Sequence, residues 1–259
     1  GHDIHTSALL GVAKVLSQVR EELAGNVLFI HQFAEEVVPG GAQAMIADGC
    51  LEGVDVIFGA HVSSVMPYGM VGLREGYTMA AADTFEIEIL GKGGHGATPH
   101  LTIDPIVIGS QLVLNLQQII SRRIRPSEPA VLTIGSFQSG HANNVIPETA
   151  TLTGTVRSFN ENTRNNIEES IRQIVQSTCQ GASASWRLNY VRGYPALWNH
   201  PEETKRVERL AKQVVGEKQV LHISEMMGSE DFAHYLQKVP GCFFFVGGQN
   251  KDIQAVYPH

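Results

Sequence analysis

Apolar residues recur along this chain with two different periods, and the change of period divides it into three stretches. In "HTSALLGVAKVLSQVREEL" (5–23), Leu9, Val12, Ala13, Leu16 and Val19 fall on one face, the spacing of an amphipathic helix. "NVLFI" (26–30) and "VDVIFGA" (54–60) are short continuous apolar runs, as expected of strands covered on both sides. Between them "GAQAMIADG" predicts a short helix closed by Gly49. Helices alternating with buried strands predict an α/β architecture built on a parallel-type sheet.

From Asp83 the texture changes. "TFEIEIL" (84–90) alternates strictly, the mark of a strand with one wet face. Asp104 and Pro105 then provide an N-cap and a first helical position, and the helix they start is expected to reach about Arg122. "AVLTIGSF" and "ATLTGTVRSF" read as two strands. A helix over 161–179 puts Ile167, Ile171, Ile174 and Val175 on one face, and "SASWRLNYV" supplies a last strand. The order β-α-β-β-α-β is that of a ferredoxin-like split βαβ unit.

After Gly193 the first texture returns. A helix is predicted after Pro201, a strand at "QVLHI", a short helix through "EDFAHYLQ" capped by Ser229, and a buried strand at "CFFFVGG". The simplest organisation is an α/β domain in two sequence pieces, residues 1–80 and 193–259, interrupted by a ferredoxin-like insertion over 81–192.

Composition narrows the partners. Hydrophobic residues are 43% and charged residues 17% of the 259, without biased tracts, which describes a globular chain able to bury a core. No apolar run approaches the roughly 20 residues of a membrane helix. The formal charge of −7 disfavours nucleic acid and anionic membranes as partners, since both require a basic face. Cys50, Cys179 and Cys242 are odd in number and widely spaced, which suits reduced thiols and leads to the expectation of a cytoplasmic protein. The chain begins at Gly1 without a Met, so an upstream segment is expected.

Three clusters stand where ligands bind in open α/β sheets, beyond the carboxyl ends of strands. The run "NVLFI" leads into Glu35 and Glu36, "VDVIFGA" leads into His61, and His2 with Asp3 precede a helix. Each has an ordinary explanation alone: a capping histidine, a solvated turn, a satisfied core histidine. Together they offer two imidazoles and a carboxylate at equivalent ends of the elements, a plausible zinc, cobalt or manganese site. Adjacent glutamates also suit metal-assisted hydrolysis, in which one carboxylate holds the ion and another takes a proton from the attacking water.

"GKGGHGATPH" (91–100) matches the G-x-G-x-x-G of a dinucleotide-binding loop. That fingerprint requires a buried strand before it, a helix opening at its last glycine and an acid about 20 residues on. Here the preceding strand alternates, Thr98 and Pro99 delay the helix to Pro105, and "QLVLNL" contains no acid. The dinucleotide reading fails. Two alternatives remain: a loop that presents His95, or a glycine-rich turn with incidental histidines.

"GHDIHT", "FAEE" followed by "PGGAQAMIADG", "GAHV", "GKGGHGATPH", "NVIPETATLTGTVRSF" and "GSEDFAHY" together resemble the aminoacylase/carboxypeptidase family of dinuclear-metal amidohydrolases. The branch resembled contains N-acyl-amino-acid amidohydrolases, hippurate hydrolases and auxin-conjugate hydrolases, and the likeness spans essentially the whole chain. It implies a zinc-peptidase-like catalytic domain with an inserted lid or dimerisation domain. It also implies two divalent metal ions (zinc, manganese, cobalt or nickel) and a homodimer through the lid, or a tetramer. Carried over, His2 and Glu36 are metal ligands, His61 is a ligand of the other metal and Glu35 the general base. His95, Asn144 and Arg157 are lid residues that steady the substrate carbonyl or carboxylate, with His100 a weaker candidate. The cysteine ligand that normally precedes "GHD" would lie before Gly1. "VYPH" stops inside what resembles the last histidine-containing motif, so His259 is that ligand or its neighbour. The resemblance implies hydrolysis of N-acyl amino acids, and the chain alone is expected to be inactive. A dipeptidase or carboxypeptidase using the same site, and a non-catalytic module descended from such an enzyme, are the alternatives.

Overall fold

A computed structural model describes residues 2–249; His259 lies outside them. The chain divides into two compact units. One is built from the residues up to Met79, Leu197–Met226 and those from Glu230 on; the other comprises Ala80–Ala196 and Met227–Ser229. Both mix helices with sheet.

The first unit opens with α1 (His2–Gln18). Asp3 in its first turn meets the positive end of the helix, and His2 belongs to the helix itself rather than to a turn before it. The predicted apolar face does turn inward, with Leu9, Ala13 and Leu16 half-buried, yet no α1 residue is fully buried and Val12 is exposed. The strand expected at 26–30 does not form. Such a strand needs a hydrogen-bonded neighbour and a covering layer, whereas no strand among the described residues pairs with this run, and Val27 and Leu28 are 49% and 59% exposed. The helix α2 (Ala42–Ala47) ends as expected before Gly49, whose φ of +88° favours glycine. The second expected strand starts later and runs further, as β1 (Ile57–Pro67), so His61 sits inside it rather than beyond its end. Two short strands, β2 (Val71–Leu73) and β3 (Gly76–Met79), complete this part.

The second unit contains β4 (Ala81–Leu90), β5 (Gly94–His95), α3 (Pro105–Gln118), β6 (Ala130–Ser139), β7 (Val145–Ile146), β8 (Thr149–Ser158), α4 (Glu161–Gly181) and β9 (Ser185–Arg192). The Asp104 carboxylate accepts the Ile106 N–H at 2.9 Å, and Asn160 caps α4 in the same way. These side chains satisfy backbone donors that a helix start leaves orphaned. Its main sheet is antiparallel in the order β6-β8-β4-β9. Phe85, Ile87 and Ile89 of β4 pack with Leu112 and Leu116 of α3 and Ile167 and Ile171 of α4 in one core, each contributing about 1.5–3 kcal/mol by burial. Asp83, 1% exposed, accepts hydrogen bonds from the Arg164 guanidinium, the Tyr190 hydroxyl at 2.8 Å and the Gly193 N–H at 3.1 Å. That network joins the entry strand, α4 and the exit of the unit.

The chain then adds β10 (Leu197–Asn199), antiparallel to β3, followed by α5 (Pro201–Val215), β11 (Val220–His222), α6 (Ala233–Leu236) and β12 (Gly241–Gln249). The helix expected from a Ser229 cap shrinks to α6, with Phe232 at its N-cap and the Glu230 carboxylate accepting the Phe232 N–H at 3.3 Å. The sheet order is β1-β12-β2-β11. It is mixed rather than purely parallel: β2 runs antiparallel to β12, while β1 with β12 and β2 with β11 are parallel. Pairing with β12 carries β1 past His61, which stands opposite Phe245. Among the described residues no helix is long and apolar enough to cross a membrane.

Candidate active site

Two elements bring three imidazoles together. His2 and His5, three residues apart on α1, share a helix face, and β1 delivers His61 against them. A ligand-capable nitrogen of each lies within 4.8 Å of the others, and the His5 and His61 rings are 4.4 Å apart. His5 Nε2 accepts the Val62 N–H at 2.9 Å, fastening the helix to the strand. Burial, then the neighbouring His61 and His2, pushes His5 down to about 4, so this ring is neutral at ordinary pH. His61 Nδ1 lies 2.7 Å from the Val62 carbonyl oxygen. A carbonyl only accepts, so Nδ1 carries the proton and Nε2 the lone pair.

The carboxylates come from an irregular turn. Ala34 adopts φ +55°, an uncommon conformation for a residue with a Cβ, and Glu35 and Glu36 follow it into different surroundings. Glu36 Oε1 lies 3.4 Å from His2 Nε2. Glu35 is half-buried and groups instead with the buried Glu230 and Asp231, their ligand atoms within 4.8 Å of one another. Burial first, then the charges of Glu36 and Asp231, pushes the Glu35 carboxyl up to about 7. Burial and then the charge of Glu35 push Glu230 up to about 8.

These residues fit a divalent ion. Two donors held about 2.0–2.1 Å from one tetrahedral ion sit roughly 3.4 Å apart, the separation found between His2 and Glu36. His61 donates its second ring N–H to a backbone carbonyl, the arrangement that orients metal-binding histidines. His259, the other expected ligand, lies outside the described residues.

The other predicted residues lie in the second unit. β5 pairs with β7, setting His95 opposite Val145, and the Gly96 N–H donates to the Asn144 carbonyl at 2.8 Å. Both residues are exposed, and His95 Nδ1 accepts the Ala97 N–H at 3.1 Å. The loop glycines serve this approach: a Cβ at Gly91 would collide with the Ile103 carbonyl, and those at Gly93 and Gly96 would crowd Ile146 and Asn144. Here they admit the loop's own neighbouring backbone. Arg157 sits at the far end of β8, opposite Ala82. His100 is exposed in a short 3-10 turn, Pro99–Leu101.

Sequence reasoning passed over His5, Gln32, Glu230 and Asp231 as individual residues. His5 carried a signal, the i, i+3 spacing from His2. Glu230 and Asp231 stood in "GSEDFAHY" without a partner that the sequence could name.

Residues 1–259 match the family described as Peptidase family M20/M25/M40. The chain is 51% identical over 259 residues to YhaA of Bacillus subtilis (strain 168), covering 100% of itself and 65% of that protein. It is 45% identical over 206 residues to the N-acyl-L-amino acid amidohydrolase of Geobacillus stearothermophilus, covering 80% of itself and 56% of the relative. Among solved structures it resembles Bacillus subtilis YXEP, described as a dinuclear metal binding peptidase from the M20 family. That likeness has a TM-score of 0.79 at 35% identity, over 95% of this chain and 62% of that one. The chain belongs to the Peptidase family M20/M25/M40 and spans about two thirds of the length of YhaA.

Proposed function

We propose that the protein is a metal-dependent amidohydrolase that cleaves an N-acyl amino acid to a carboxylate and a free amino acid. One observation carries this reading. The donors His2, Glu36 and His61 are joined through the chain to Glu35, a half-buried carboxylate of raised proton affinity next to ligand Glu36. The name of the Geobacillus stearothermophilus relative supports the substrate class.

His2, Glu36 and His61, with His259, would hold two divalent ions. When bound, such ions acidify water and polarise an acyl carbonyl. Glu35 takes the proton of the attacking water on its carboxylate and delivers it to the leaving amine nitrogen. A base is most effective when its pKa is near the working pH, and the burial of Glu35 favours that.

The second unit serves as lid and dimerisation domain, inserted into a catalytic domain made of two sequence pieces. His95 in β5 and Asn144, the residue before β7, stabilise the developing oxyanion, a contribution of about 2.7–4 kcal/mol per donor. Arg157 suits the substrate carboxylate, which its guanidinium can grip bidentately. Along β8 Arg157 stands eight positions from Thr149, roughly 26 Å at about 3.3 Å per residue. The assembly this reading takes is a homodimer through the second unit. Three free thiols support a reducing, cytoplasmic location.

The test is a substrate panel on the full-length protein with bound metal. N-acetyl amino acids should turn over faster than unblocked dipeptides. The reverse order would reassign the enzyme as a dipeptidase, and no turnover of either, in protein that binds no metal, would leave a non-catalytic module.

A further inference from the structure

The turn that carries Glu35 has no regular structure of its own, and residues 31–41 include the left-handed Ala34. Its hold comes from outside the turn. The Asp231 carboxylate, 1% exposed, accepts the Gln32 amide through both oxygens at 2.8 and 2.7 Å, and the Ala42 N–H at 3.1 Å. Residues 32 and 42 flank the Glu35–Glu36 turn, so one carboxylate ties down both of its ends. The Tyr235 hydroxyl donates to Gln32 Oε1 at 2.8 Å, which fixes the amide with its nitrogen toward Asp231. Gly40 (φ +79°) packs so closely that any Cβ there would run into the same carboxylate. In the middle of the turn, Glu35 lies beside Asp231, a carboxylate oxygen of each within 4.8 Å of the other.

We propose that Asp231 is a positioning residue that clamps the 31–41 turn at both ends and thereby sets the place of Glu35. The inference rests on Glu35 being the general base. Asp231 touches no reacting atom in this account. Its buried carboxylate satisfies two amide groups, and a buried acceptor of this kind is costly to leave unmatched. A base displaced by about 1 Å loses on the order of a hundredfold in rate.

The test is a polarity exchange in the full-length, metal-loaded protein. Asp231→Asn keeps the shape but turns an NH2 group toward the Gln32 amide nitrogen, setting donor against donor. In the double variant Gln32→Glu/Asp231→Asn, the new carboxamide donates to the new carboxylate, its oxygen still accepts the Ala42 N–H, and Tyr235 still donates. The single variant should lower kcat about 10- to 100-fold while leaving KM and bound metal within about twofold. The double variant should recover about tenfold or more of the lost kcat. Wild-type kcat in the single variant, or no recovery in the double, overturns the clamp. If Asp231→Asn does not fold, Tyr235→Phe replaces it, because it frees the Gln32 amide. It should reduce kcat at unchanged KM, and an unchanged kcat is the contrary result. Glu35→Gln, measured alongside, separates the two claims. If it turns over like wild type, both the base and the clamp are lost; if it is inactive beside a fully active Asp231→Asn, only the clamp is lost.

Discussion

His2 Nε2 and Glu36 Oε1 stand 3.4 Å apart, the separation of two donors on one tetrahedral ion, although one belongs to a helix and the other to an irregular turn. Substituting either by Ala in the full-length protein should lower bound metal by about one equivalent per subunit, as counted by elemental analysis. His61→Ala should do the same. Replacing the exposed His100 should not change the count, and a loss there would place the metal elsewhere.

The buried carboxylates give the metal-stripped protein a directional pH dependence. Glu35 and Glu230 titrate at about 7 and about 8 in the fold, above the ordinary 4.5. The folded chain therefore keeps protons that the unfolded chain has released. Stability from these groups is complete below about 4.5 and declines as pH rises through 7 to 8. His5, lowered to about 4 from 6.5, acts at the acid end, where stability falls as pH drops below 6.5. Denaturant midpoints of the chelator-treated protein should fall between about pH 6.5 and 9. Glu230→Gln should flatten that decline, and an undiminished slope would show that Glu230 does not titrate there.

These groups illustrate what the sequence discloses. Elements with a strong local signal were legible. The alternation in "TFEIEIL" marks β4, and the Asp104–Pro105 and 161–179 patterns mark α3 and α4 nearly to their ends. "NVLFI" carries the same kind of signal yet forms no strand among the described residues, since an apolar run becomes a strand only when something pairs with it. β2, β3 and β10 are three or four residues long, too short to show a period. Within the site, His2, Glu35, Glu36 and His61 stood out because chemistry limits which side chains bind metals or move protons. Asp231 did not, because its partners Gln32 and Ala42 are neighbours only in the fold.

The Asp83–Arg164 pair anchors the second unit. Both side chains are buried, 1% and 6% exposed, so Arg164→Met should strand a carboxylate in the core and cost about 3–5 kcal/mol. Thermal unfolding should show the loss. Adding Asp83→Asn should return much of it, because the uncompensated charge is then gone. A Tm within error of wild type for the single variant would contradict the pair's role.

The account depends most on Glu35 as the proton carrier, and the direct test is Glu35→Gln in the full-length protein, with metal and turnover measured on one preparation. The expected result is wild-type metal content, wild-type substrate affinity and a loss of kcat of about 10²–10⁴-fold, the usual contribution of general acid–base catalysis. Turnover within about twofold of wild type at full metal occupancy would contradict it.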